Sequence, residues 1–90
     1  MARWSKSEDE KVVELYKRLL AAERGRAPLD INQEILKTPG IDKTAKAIRN
    51  RLQNVSAILE EKGLPRVQNL APWSNYANQT KDAVDASLPW

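Results

Sequence analysis

Apolar residues recur at helical spacing from the start of the chain. In RWSKSEDEKVVELYKRLLAAERG (residues 3–25), Val12, Val13, Tyr16, Leu19 and Leu20 fall on one side at about 100° per residue, which predicts an amphipathic helix. Ser5 with Glu8, or Ser7 with Glu10, supplies a capping box, and Glu8, Asp9 and Glu10 put negative charge in the first turn, where the helix dipole favours it. Gly25 is the expected stop. LDINQEILKTPG (residues 29–40) predicts a short second helix capped by Asp30, with Gln33 at the reciprocal position and Ile31, Ile35 and Leu36 as its apolar side. Thr38-Pro39-Gly40 ends it. A third helix is expected from Asp42 as N-cap to Lys62, with Gly63 as breaker. Its apolar stripe is Ile41, Ala45, Ile48, Leu52, Val55 and Leu59, narrow enough to bury one face only. Pro65 and Pro72 make the next stretch an extended connector, and Ser74 caps a weaker fourth helix to about Ala86.

The pattern therefore predicts an all-α chain. Residues 1–63 form a three-helix bundle, and residues 64–90 add the connector and a C-terminal helix that packs back through Trp73, Tyr76, Ala83 and Val84. Trp4 is expected to anchor the core.

Composition narrows the chemistry. The 90 residues contain no cysteine and no histidine, which removes disulfides, thiolate metal sites and the usual general base near neutral pH. No catalytic constellation, metal site or cofactor site is expected; Glu8-Asp9-Glu10 are consecutive helical positions that point in different directions. No apolar run approaches the ~20 residues that span a bilayer, and MARWSKSEDE lacks a signal-peptide core. A cytoplasmic protein without membrane contact is the expectation.

The net charge is +3, and its placement says more than its size. Residues 43–59 hold four basic residues and no acid, while the rest of the chain holds eleven basic and twelve acidic residues. With the apolar stripe turned inward, Lys43, Lys46, Asn50, Gln53, Asn54 and Ala57 lie opposite it, and Arg49 and Arg51 flank it. Basic groups with side-chain amides and no carboxylate are the chemistry that a major groove accepts. The competing interpretation is an ordinary solvated helix face, since lysine and amide residues also serve solubility.

The order of these signals resembles a Myb/SANT-like repeat. RWSKSEDEKVVELY is similar to its opening, a tryptophan and a cap before an acidic triplet and an apolar helix. DKTAKAIRNRLQN is similar to its third helix. The resemblance covers about residues 3–55 and implies a helix-turn-helix whose third helix enters the major groove of double-stranded DNA. By position, Lys46 and Asn50, with Gln53, would meet base edges. Arg49 and Arg51, with Lys43, would meet phosphates. Apart from the resemblance, Arg24 and Arg26 in the loop after the first helix are candidates for a phosphate contact, with simple solvation the equal alternative. Arg3 could reach a minor groove as homeodomain arms do, but an ordinary mobile terminus is the better expectation. The chain departs from the family in its core tryptophans, for which Ile31 and Leu52 stand in, and in a longer turn before the third helix.

RLQNVSAILEEKGLP followed by PWSNY is similar, more loosely, to DNA-binding modules that accompany HNH-type nucleases of bacteria and their phages. Because that chemistry needs histidine, a nuclease partner would be a separate polypeptide. The function expected is non-catalytic double-stranded DNA binding, as a regulator or a targeting subunit for a nuclease or the transcription machinery. The alternative is a small phage-type adaptor or inhibitor that sets the basic helix against an acidic protein surface. Oligomeric state is left open.

Overall fold

Helix α1 begins where the sequence supplies its cap. In the computed structural model, which describes residues 3–90, Ser5 and Glu8 form the reciprocal box: the Glu8 N–H donates to Ser5 Oγ (3.0 Å) and the Ser5 N–H to Glu8 Oε1 (2.9 Å). The described residues form four helices and no strand: α1 (Lys6–Arg24), α2 (Ile31–Leu36), α3 (Ala45–Glu61) and α4 (Asn78–Ser87). No helix is long and apolar enough to cross a membrane.

Contacts along α1 and α3 advance in the same direction. Glu8 meets Lys43, Asp9 meets Arg51, and the Tyr16 hydroxyl lies 2.7 Å from Ser56 Oγ. The two helices therefore run side by side and parallel, and the short α2 is the return between them. Helix α4 lies chiefly on α1. Gln79 and Thr80 reach Asp9 near the start of α1, and Trp90 packs on Tyr16 further along. One core joins all of this, from Val12, Leu15 and Leu19 through Leu52 and Ile58 to Val67, Leu70 and Val84. The connector is thus part of the core. The buried Tyr16 hydroxyl accepts the Val67 N–H at 2.8 Å, which fixes the connector against α1.

Several expected details change. Asp42 does not cap α3: the helix starts two residues later, with Thr44 Oγ1 accepting the Ala47 N–H, and the Asp42 N–H is instead held by Glu8 Oε2 at 2.8 Å. Helix α4 starts at Asn78 after Ala77, without a side-chain cap, and Ser74 lies in a turn before it. Asp30 caps α2 as expected, but Leu36 is 71% exposed, since a six-residue helix between two longer ones buries only its Ile35 side. Helix α3 departs most from a one-sided helix: Asn54 through Leu59 are all buried. Helices α1 and α4 cover one side of that segment and the connector covers the other.

Both long helices end in the motif that leaves one residue left-handed after the cap. After α3 that residue is Gly63 (φ 71°), with Gly63 N–H bonded to Glu60 C=O and Leu64 N–H to Leu59 C=O. After α1 the same two bonds form one position beyond the glycine, so Arg26 takes the left-handed conformation (φ 56°) and Gly25 does not.

Candidate nucleic-acid interface

The first half of α3 remains open. Lys46 is exposed, and Arg49, Asn50 and Gln53 are half-buried. These four share one helical side, being spaced at three and four residues. No acid stands in the first turn of α3, so its positive dipole end is not neutralised from within the helix. Arg49 reaches across to α2, where its Nη1–H donates to Asn32 Oδ1 at 3.4 Å. Leu36 lies one turn beyond Asn32 on the same side of α2, so an exposed leucine borders the basic stripe.

The connector closes the other half. The Trp73 N–H donates to the Gln53 carbonyl at 3.1 Å, and Asn54 Nδ2 donates to the Trp73 carbonyl at 2.7 Å. Asn54 and Ala57, expected opposite the apolar stripe and facing outward, are buried here. A buried amide is satisfied by backbone carbonyls of an irregular segment, which is why asparagine suits this position. Trp73, expected to pack inward, is 44% exposed at the edge of the stripe, with its backbone held at both ends.

Two of the four cations in the acid-free window are occupied internally. Arg51 makes a two-pronged ion pair with Asp9, Nε to Oδ1 at 2.8 Å and Nη2 to Oδ2 at 2.9 Å. Asp9 is fully buried and also accepts Gln79 Nε2 at 2.7 Å and the Thr80 hydroxyl at 3.3 Å. Four hydrogen bonds satisfy a carboxylate that burial would otherwise penalise, and breaking such a pair from one side costs ~3–5 kcal/mol. Lys43 lies 3.2 Å from Glu8 Oε1. Both cations also stand over the Trp4 ring, Arg51 Cζ at 4.6 Å and Lys43 Nζ at 5.2 Å from its centre. Trp4 is half-buried: it packs on the core and forms the floor of an ion-pair cluster. Lys43 and Arg51 therefore hold α3 to α1 and are not free to neutralise phosphates.

Glu8 is the other pillar of this cluster. Its carboxyl is lowered to about 2 from 4.5, first by the Ser5 N–H, against the opposing effect of burial, and then by the Asp42 N–H and by Lys43. Neither acid could be matched to its cation from sequence, since only the parallel packing of α1 and α3 brings them together. The local signal was a tryptophan just before α1, four and five positions ahead of two acids in its first turn.

Arg24 and Arg26 lie away from the stripe. Arg24 shares a hollow with Leu59 and Leu64 at the C-terminal end of α3, ~20 Å along the helix from Lys46 at 1.5 Å per residue. Arg26 sits in the turn just after it. Arg3 is exposed beside the cluster, its carbonyl 3.4 Å from Lys43 Nζ. The open stripe thus comprises Lys46, Arg49, Asn50 and Gln53, with Trp73 and Leu36 at its borders. No family profile, curated protein or solved structure matches the chain.

Proposed function

We propose that the protein is a non-catalytic module that binds double-stranded DNA through the first half of α3. The observation that carries this reading is the acid-free stripe of Lys46, Arg49, Asn50 and Gln53, left open where the rest of α3 is covered. Lys46 and Arg49 neutralise phosphates or donate to guanine, and Asn50 and Gln53 offer the amide pattern that pairs with adenine. The resemblance of residues 3–55 to a Myb/SANT-like helix-turn-helix supports the same face, with Ile31 half-buried and Leu52 fully buried in place of that family's tryptophans.

The ion pairs set the strength. With Lys43 and Arg51 committed to Glu8 and Asp9, two free cations remain on the stripe. Two neutralised phosphates give a slope of about −2 in log affinity against log salt. Titration of a labelled random duplex at two salt concentrations checks this. Wild type is expected to bind weakly with that shallow slope, and Lys46→Glu with Arg49→Glu to abolish binding while keeping the helical spectrum. Absence of binding at low salt, or a salt-independent affinity, overturns the DNA reading. Equal binding by the charge-reversed protein moves the contact to another surface.

A second reading rests on Leu36 and Trp73. Two exposed apolar residues beside a pair of cations also suit a docking site for an acidic, partly apolar protein surface. Helix α3 would then serve an adaptor, and Leu36→Ser would weaken the partner complex without changing duplex binding.

A further inference from the structure

Of the three tryptophans, two are committed inside the fold. Trp4 packs on the core beneath Lys43 and Arg51, and Trp90 packs on Tyr16. Trp73 does neither: it lies outside the core cluster and is 44% exposed. Single exposed aromatic residues are common on proteins, so exposure alone signifies nothing. Three features of its position separate Trp73 from that background.

First, the backbone under the indole is fixed. The Trp73 N–H donates to the Gln53 carbonyl, its own carbonyl accepts Asn54 Nδ2, and Pro72 restricts the chain just before it. Second, Trp73 stands next to Gln53 at the end of the open stripe, ~10 Å along α3 from Lys46 at 1.5 Å per residue. Third, residues 62–81 hold no acid, so the connector adds no negative charge where it meets the acid-free window of α3. Ser74 and Asn75, both exposed, follow the indole with further hydrogen-bonding groups. Tyr76, the other aromatic residue of this segment, is occupied, since its hydroxyl donates to Glu61 at 2.6 Å.

A flat apolar face, held in place beside cations and amides, matches the face of a nucleic-acid base. In a continuous duplex that face is covered by its neighbours in the stack, and an indole alongside meets only sugar and phosphate. An unpaired base leaves the stack at much lower cost. The ~10 Å between Lys46 and Gln53 corresponds to about three base steps of 3.4 Å, so such a base falls close to the pairs that α3 touches. Building on the DNA reading of α3, on which this step rests, we propose that Trp73 stacks on an unpaired base. The preferred ligand is then duplex DNA interrupted by an unpaired base, not continuous duplex.

The test compares three labelled duplexes with identical ends, titrated with the full chain at low salt and followed by fluorescence anisotropy. One is fully paired, one carries a single extra adenine bulged near its middle, and one has an abasic nucleotide at the bulge. Wild type is expected to bind the adenine bulge about tenfold more tightly than either of the others, the scale of one base–aromatic stack. Trp73→Ala is expected to bind all three alike, and Trp73→Phe, which keeps an aromatic face, to retain most of the preference. Alanine preserves both main-chain hydrogen bonds and removes nothing from the core cluster, so the helical spectrum is expected to be kept. Equal binding of the adenine and abasic bulges by wild type overturns the proposal, because the bend and not the base is then read. A preference that survives Trp73→Ala overturns it as well. If wild type binds all three duplexes alike and Lys46→Glu with Arg49→Glu abolishes that binding, the stacking role falls and the DNA reading stands. If no duplex binds, both fall.

Discussion

Glu8 and Asp9 are consecutive acids with separate tasks. Glu8 closes the capping box of α1 and also receives the Asp42 N–H and Lys43, so one carboxylate positions the approach to α3. Its folded value of about 2 lies below the ordinary 4.5. A carboxyl lowered on folding stabilises fully above its unfolded value, and that contribution disappears as the pH falls through the folded one. In Glu8→Gln the capping hydrogen bond to Ser5 persists but the titrating charge is gone. The difference in melting temperature between wild type and Glu8→Gln is therefore expected to stay constant above pH 4.5 and to close between about 4.5 and about 2. A difference that persists unchanged to the acid end would remove Glu8 from the ion-pair account. Asp9 acts at longer range, joining α1 to Arg51 of α3 and to Gln79 and Thr80 of α4.

At the scale of elements, the helix ends are set by local chemistry with one misfit. The sequence places glycines at the ends of α1 and α3, but only Gly63 occupies the left-handed position. Before α3, Gly40 is also left-handed (φ 85°), and a Cβ there would come within 2.5 Å of the Lys11 side chain. After α1 the left-handed residue is Arg26, whose Cβ makes that conformation unfavourable. Glycine at position 26 relieves this strain but loses more freedom on folding, so the net gain is about 0.5–1 kcal/mol. Arg26→Gly is expected to raise the melting temperature by a few degrees, measured by thermal unfolding. A decrease would mean that the Arg26 side chain makes a contact that outweighs the backbone strain. Helix α3 shows a related limit: one continuous helix is open at its start and enclosed at its end, because what covers it comes from distant parts of the chain.

At the scale of the molecule, the connector and α4 complete a single core. The radius of gyration is 12.0 Å, close to the ~12 Å expected of a compact domain this size, so residues 64–90 do not extend from the bundle. Val67, Leu70 and Val84 share the cluster that contains Leu52 and Val55. Removing residues 64–90 would expose that cluster and leave Asp9 without Gln79 and Thr80. A fragment of residues 1–63 is accordingly expected to lose cooperative unfolding and to show helical content well below that of α1, α2 and α3 in the whole chain, measured by circular dichroism. Cooperative melting of the fragment would establish a separable three-helix unit and show that α4 is an accessory.

The local order of hydrophobic and polar residues determined the presence of four helices, a Ser-x-x-Glu cap on the first of them at one of two positions, the Gly63 stop and the identities of Lys46, Arg49, Asn50 and Gln53 as a basic, amide-bearing side of α3. These depend on interactions within about one helical turn, which the linear chain displays directly. Tertiary structure decided which cations remain available. Lys43 and Arg51 look equivalent to Lys46 and Arg49 in the sequence, and only the parallel packing of α1 and α3 brings Glu8, Asp9 and Trp4 to the first pair. It also decided that Asn54 and Ala57 are interior and Trp73 is exposed, because the fold of the connector places it over half of α3. Charge and burial are properties of what lies nearby in space, and for these residues the neighbours come from 19 to 47 positions away in the chain.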